Sequence, residues 1–408
     1  MKVAVIGGGA AGFFAAINTK IHHPNASVTL LEKSKKVLAK VKISGGGRCN
    51  VTTATEHISN LCKAYPRGGK QLKPLFKRFN NKHTIDWFES RGVPLKSEAD
   101  LRMFPISNRS QSIIDCLLGE INKLGIKVEL GRSVSKVTHK VKHGHSNYQL
   151  HFNQTNTPPV YFDKLIIATG GSPKVQGFEW LKTLGHSISL PVPSLFTFNI
   201  KNPALNQLMG LSVKQAHIQI QGQKLKSEGP VLITHWGLSG PAILKLSAFG
   251  ARALNELDYK FNIQINWINE HNQEKSAASL KVFLENNYQK QIGKTRPFAF
   301  PSRFWDYLLK RSQIDPQKKC GDIGKKGLNK LIQVLSYDIY TVNGKSTFKE
   351  EFVTCGGVEL QNLDLTSMQS KHCQGMYFAG EVLDIDGITG GFNFQAAWTT
   401  AFIASQLK

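Results

Sequence analysis

Three glycines and one acid carry the first chemistry in this sequence. Gly7, Gly9 and Gly12 stand in the G-x-G-x-x-G register within Gly7-Gly8-Gly9-Ala10-Ala11-Gly12, and Glu32 follows twenty residues after Gly12. In a dinucleotide site the first glycine makes a tight turn, the second lets backbone approach a pyrophosphate, and the third lets a helix pack closely on a strand. The helix N-terminus that starts there attracts phosphate charge. The acid after the next strand accepts hydrogen bonds from ribose hydroxyls.

Two further blocks extend this chemistry. Ser44-Gly45-Gly46-Gly47-Arg48-Cys49-Asn50 lies beside Lys40 and Lys42. Consecutive glycines let N–H groups converge on an anion or a planar ring, and Arg48 adds a forked cation. Near the C-terminus, Gly375-Met376-Tyr377-Phe378-Ala379-Gly380-Glu381 runs through Asp384, Asp386, Gly390 and Gly391 into a helix at 392–406. Its carboxylate suits a polyol hydroxyl, and the helix start suits negative charge developing on a ring. A nicotinamide-only site has no need of this return. A flavin does, because its ribityl chain and isoalloxazine reach beyond the pyrophosphate, so the bound cofactor is expected to be FAD rather than NAD.

The elements that must position these residues read as α/β. Residues 2–6 (KVAVI), 27–31 and 164–168 (KLIIA) are short apolar runs suited to buried parallel strands. The last ends in Thr169-Gly170-Gly171-Ser172-Pro173, which brings flexible backbone to the ligand edge of a doubly wound sheet. Helices are expected over 13–20, 69–92 and 110–124, and alternating strands near 134–137, 148–152 and 160–162. Between residues 191 and 344 the pattern changes to a β-rich part (191–270) and a helical part (271–344), with helices over 241–254 and 276–335. No second G-x-G-x-x-G follows a strand there, so this insert is expected to face substrate. The expected organisation is a cofactor domain of residues 1–190 and 345–408 around the insert.

Composition bounds the rest. The 408 residues allow roughly two or three domains. Residues 3–6 are the only apolar run before the glycines, too short for a signal peptide core, and no stretch approaches a membrane span. Six cysteines without C-x-x-C or zinc spacing read as reduced thiols of a cytoplasmic protein. His139, His143 and His145 read as solvated loop histidines at a turn over 143–147, and no metal site is expected. Fifty-two Lys plus Arg against twenty-eight Asp plus Glu give a net charge of +24. Residues 33–82 hold thirteen of those cations and one acid, Glu56, which reads either as a face for a polyanion (RNA, ribosome or anionic membrane) or as a solvated surface tuned for solubility.

The motifs GGGAAGFFAA, KVKISGGGRCNVT, KLIIATGGSP, HWGLSGPAIL, VTCGGVEL and YFAGEVLDIDGITGGFNFQAAW together resemble the YhiN/BaiN-like flavoproteins, an aminoacetone-oxidase-type family of FAD-dependent oxidoreductases. The resemblance spans nearly the whole chain. It implies a Rossmann-like FAD-binding domain of the glutathione-reductase-type, two-dinucleotide-binding superfamily, interrupted by a β-rich and helical insert. By it, Gly7, Gly9, Ala10, Ala11, Gly12, Glu32 and Lys33 hold the ADP half. Lys40, Ser44, Gly45, Gly46, Gly47, Arg48, Cys49 and Asn50 lie along the pyrophosphate and ring. Val134 meets the adenine edge, and Ala168, Thr169 and Gly170 close that side. Gly380 and Glu381 take the ribityl chain, and Gly391, Phe392 and Asn393 the pyrimidine edge. Two departures stand out: Leu38-Ala39 replaces a usual Gly-Arg, and Thr53 replaces a common asparagine.

Three activities follow as expectations. In the first, NAD(P)H transiently reduces the flavin, which passes hydride to an unsaturated substrate, in the specific version a uridine of ribosomal RNA; Cys49 reads either as the proton donor or as a buried structural thiol, and Cys355 is the weaker donor candidate. The second is oxidation of a small amine with oxygen as acceptor. The third is a non-catalytic, FAD-stabilised factor associated with RNA or the ribosome.

Overall fold

The computed structural model describes residues 1–142, 145–153, 158–268, 270, 272–346 and 353–408. The chain divides into two compact units, Met1–Ser194 with Phe348–Lys408, and Leu195–Thr347.

The first unit is built on a seven-stranded sheet. Lys2–Ile6 lies at its centre, parallel to Ser27–Leu31 on one side and Lys164–Ile167 on the other. Lys127–Glu129 continues the sheet beyond the former and Met376–Phe378 beyond the latter, both parallel. Two short antiparallel strands, Gln369–Ser370 and Leu363–Asp364, finish that edge. Ile6 is level with Leu31 and with Ile167, and Ile167 with Phe378. The carboxyl ends of these strands therefore release Gly7, Glu32, Ala168 and Ala379 along one edge, where α/β sheets bind ligands. The first helix, Ala10–His22, and the closing helix, Phe392–Ala404, are cemented by Phe14 against Trp398, ring centroids 5.2 Å apart. The closing helix buries every residue from Gln395 to Ala401, an unbroken run that covers all sides of its axis, as in an interior helix.

Three smaller sheets complete this unit: Thr52–Thr53 with Arg102–Pro105 and Leu95–Ser97, Val134–Lys142 with His145–Phe152 and Val160–Phe162, and Ile188–Ser194 with Val353–Val358. The single helix expected over 69–92 is instead two, Gly69–Phe76 and Asn81–Glu89. Asn80 starts the second, its side chain accepting from the Lys82 and His83 N–H groups. Of the turn expected over 143–147, residues 145–147 belong to the strand His145–Phe152. His143 and Gly144 lie outside the described residues. His139 stacks on Tyr148. Among the described residues, no group of three or more His, Cys, Asp or Glu is placed to hold a metal. None of their helices is long and apolar enough to cross a membrane.

The second unit has its own core, with Phe198, Ile218, Ile263, Trp267 and Phe304 buried in it. Its seven strands are all antiparallel, in the order Asp338–Asn343, Lys260–Asn266, Ser212–Ile220, Lys226–Thr234, Gly237–Ser239, Thr197–Asn199, Lys345–Ser346. The two outermost strands are consecutive in the chain and separated by Gly344 alone, so the sheet curls round on itself. The helix expected over 276–335 is three helices, Gln273–Asn286, Ser302–Arg311 and Lys325–Ser336. The helix expected over 241–254 is two, Pro241–Phe249 and Ala251–Glu256, parted at Gly250.

Candidate cofactor site

The strand-end row begins with close packing at glycine. A Cβ on Gly7 would lie 2.2 Å from the Ala168 carbonyl oxygen, and one on Gly12 1.8 Å from that of Gly7. No side chain fits at either place, so the first helix sits directly on the strand ends. Gly9 is different: nothing lies within 4 Å of where its Cβ would point. It is the N-cap of the first helix, which has no side-chain cap and no acid in its first turn. Its free N–H groups and dipole remain available to an anion. Ala10 and Ala11 form that first turn, and Ala11 lies against Gly380, whose added Cβ would be 2.7 Å from Ala11 Cβ.

Glu32 leaves the neighbouring strand. Its Oε2 accepts the Gly8 N–H at 2.6 Å and its Oε1 the Ser34 N–H at 2.8 Å. Each carboxylate oxygen keeps a second lone pair for a hydroxyl. Lys33 beside it is exposed, and Val134 is half-buried opposite Phe152 at the start of its hairpin. Ala168 is buried and donates to the Ile6 carbonyl, whereas Thr169 is exposed and Gly170 half-buried.

The glycine block is not a free loop. It ends the helix Ala39–Gly47, which breaks at Ser44, Gly45 and Gly46. Leu38, at the N-cap of that helix, takes a left-handed conformation (φ 55°), which favours glycine. Lys40 Nζ lies 2.7 Å from Glu381 Oε2, and Glu381 Oε1 accepts the Thr354 N–H at 3.0 Å. Ser44 Oγ donates to the Val41 carbonyl. Gly45 lies against Phe104, while Gly46 and Gly47 are exposed, with open space where a Cβ would point. Arg48 is already engaged, donating to Glu98 Oε1 at 2.6 Å and stacking 4.0 Å above Phe104. Cys49 is fully buried, and burial pushes its thiol up to about 12. Asn50 donates its amide to the Thr52 and Met103 carbonyls and accepts the Gly391 N–H at 2.9 Å. It thereby ties the block to the start of the closing helix. Phe392 presents its carbonyl to Tyr65 Oη at 2.7 Å, and the Asn393 side chain clamps both backbone groups of Gly387.

Sequence reasoning missed two groups here. Thr354 Oγ1 is buried and has no hydrogen-bond partner among the described residues, and a Cβ on Gly171 would come within 2.6 Å of it and 3.0 Å of Glu381 Oε1. The signal is the VTCGG run, which enters only as part of the family resemblance. Asp386, fully buried, accepts from Arg67 Nε at 2.6 Å and Ser194 Oγ at 2.8 Å, and Arg67 Nη2 reaches its other oxygen. Burial raises its carboxyl and Arg67 opposes that rise. These partners are 319 and 192 residues apart, beyond any local pattern.

An open, uncapped helix start, an acid at the adjacent strand end, a second acid three strands across and an orphan hydroxyl beside it suit an extended dinucleotide with a polyol. A parallel sheet with these features defines a Rossmann-type dinucleotide-binding flavoprotein fold. The HI0933-like protein Rossmann domain matches residues 1–407, and the chain belongs to that family; it is an FAD-dependent oxidoreductase. It is 24% identical to a 3-dehydro-bile acid delta(4,6)-reductase of Clostridium scindens, over 99% of this chain and 98% of that one. It is 27% identical to a ribosomal RNA dihydrouridine synthase of Haemophilus influenzae, over 98% and 96%. Among solved structures, the 3-ketosteroid-delta4-(5alpha)-dehydrogenase of Rhodococcus jostii RHA1 shares the fold, with a TM-score of 0.52 at 13% identity over 100% of this chain and 96% of that one.

Proposed function

We propose that this protein reduces a carbon–carbon double bond conjugated to a carbonyl, that the substrate is a uridine of ribosomal RNA, and that NAD(P)H is the transient reductant. The observation that carries the RNA reading is how the cations of residues 33–82 are sorted. All ten lysines are exposed, while the three arginines turn to internal partners: Arg48 to Glu98, Arg67 to Asp386, and Arg78 to Thr366 and Gln406. The lysine-studded stretch contains the glycine block itself, so a polyanion drawn to it meets the site. The names of the relatives support the bond type. Uridine C5–C6 and a steroid delta-4 bond beside a 3-oxo group are both conjugated to a carbonyl.

When bound, FAD supplies the hydride chemistry. The protein's part is to hold and orient. Gly7 to Gly12 and the first helix take the pyrophosphate, Glu32 a ribose, and Glu381 with Lys40 and Thr354 the polyol. The start of the closing helix, fixed by Asn50, favours negative charge on the ring. Cys49 and Cys355 are both fully buried, so we assign them to packing rather than to proton donation.

A second reading, reduction of a small enone, is favoured by the similarity to the bile-acid reductase. Anaerobic titration of the FAD-loaded protein with NADH and NADPH, followed by unmodified ribosomal RNA, separates the two. Bleaching by one nucleotide and reoxidation by RNA with formation of dihydrouridine is expected. Reoxidation by a cyclic enone but not by RNA moves the assignment to the second reading. Bleaching by a small amine alone points to amine oxidation, and failure to take up FAD removes all three.

A further inference from the structure

We infer that the second unit carries its own single-stranded RNA contact, a lysine-ringed stacking platform centred on Tyr288. This inference rests on the ribosomal RNA reading but uses residues outside the candidate cofactor site and outside residues 33–82.

Two stretches of the unit run side by side. Gln291 bridges Lys319, the Ile292 N–H donates to the Lys318 carbonyl, and the Cys320 and Gly321 N–H groups donate to Lys290 and Tyr288. Across residues 288–294 and 316–326, Lys290, Lys294, Lys318, Lys319, Lys325 and Lys326 are all exposed, and Asp322 is the one acid. The amines of Lys290 and Lys319 meet only neutral side-chain amides, Asn287 Oδ1 at 3.1 Å and Gln289 Oε1 at 3.0 Å. A polyanion is drawn to such a run of exposed cations.

Charge alone names no partner; Tyr288 does. Its ring lies directly on Gly321, where an added Cβ would fall 2.3 Å from the ring edge. The ring is thus supported by backbone from below, yet Tyr288 is 55% exposed. A fixed, exposed aromatic face among cations is the arrangement on which an unstacked base rests while its phosphates meet lysine. An anionic membrane fits less well. Binding there buries several apolar side chains, and Tyr288 is the only exposed large apolar residue in the two stretches.

The test is fluorescence anisotropy of the full, FAD-loaded chain with a fluorescein-labelled single-stranded oligouridylate across a salt series. Tyr288→Ala is expected to weaken binding about tenfold, with Tyr288→Phe near wild type. The double variant Lys318→Glu, Lys319→Glu is expected to weaken binding at least tenfold and to flatten the log–log salt slope by about 1.4. Wild-type affinity in both the alanine and the glutamate variants overturns the platform, as does loss of anionic-vesicle binding with RNA binding unchanged. Absence of RNA binding in the wild type overturns it too. Binding that depends on these residues without any uridine reduction leaves the platform standing and removes the proposed reaction. Uridine reduction with RNA binding and turnover both unaffected by the variants does the reverse.

Discussion

Glu381 is held by two residues remote from it in sequence, Lys40 at 2.7 Å and the Thr354 N–H at 3.0 Å. The two contacts are unequal. Lys40 is 53% exposed at its side chain, and such surface pairs contribute at most about 1 kcal/mol. A carboxylate accepting charge-assisted hydrogen bonds from a ligand contributes about 1.5–3 kcal/mol. Glu381→Ala should therefore raise the FAD dissociation constant about 10- to 100-fold, and Lys40→Met less than about tenfold, as read by quenching of flavin fluorescence. His186 supplies a pH prediction. It is buried, with one ring nitrogen 3.1 Å from the Leu181 carbonyl and the other 2.8 Å from Ser370 Oγ, and burial lowers it from 6.5 to about 4. A depressed imidazole contributes stability that is fully present above pH 6.5 and lost as pH falls toward about 4. Between pH 7 and pH 5 the wild type should lose about 2 kcal/mol more than His186→Asn in urea denaturation. Equal losses would assign the pH dependence elsewhere.

Asn50 joins two elements, the glycine block and the closing helix, through three hydrogen bonds, and is itself buried. Asn50→Leu leaves the Gly391 N–H without its acceptor and takes a donor from the Thr52 and Met103 carbonyls, of which Met103 keeps the Val51 N–H, at a cost of about 1–3 kcal/mol. A lowered melting temperature, with looser flavin, is the expected result; an unchanged melt would mean that water replaces the amide. The elements legible in the sequence are those whose signal is local. Lys2–Ile6, the glycine turn, Ser27–Leu31 and Lys164–Ile167 each combine an apolar run with a terminating glycine or acid within a few residues. Other features depend on distant partners and left no such mark. Arg48 reads as a free cation until Glu98, fifty residues on, is seen to hold it. The long helices expected over 69–92 and 276–335 follow apolar periodicity, which does not register a single capping residue such as Asn80. The curl of the second sheet depends on strands 338–343 and 345–346 pairing at opposite ends, which no periodicity encodes.

Every candidate cofactor residue belongs to the unit formed by Met1–Ser194 and Phe348–Lys408. A chain in which a short Gly-Ser turn joins Ser194 to Val353 should therefore fold and take up FAD with near wild-type affinity. A folded deletion protein without flavin absorbance would show that the cofactor needs the insert. The chain ends at that junction have a thermodynamic consequence. Ser194 pairs with Val353 in the first unit, and Thr197 pairs with Ser346 in the second. A folded insert thus returns the chain almost where it took it, so to the first unit it counts as a short loop. Unfolded, the same insert is a tether of roughly 150 residues. The closure entropy of a loop that long exceeds that of a few-residue turn by about 3 kcal/mol. Folding of the second unit therefore stabilises the first by that amount through chain statistics alone, and denaturing the insert loosens the flavin-bearing sheet without breaking a single contact within it.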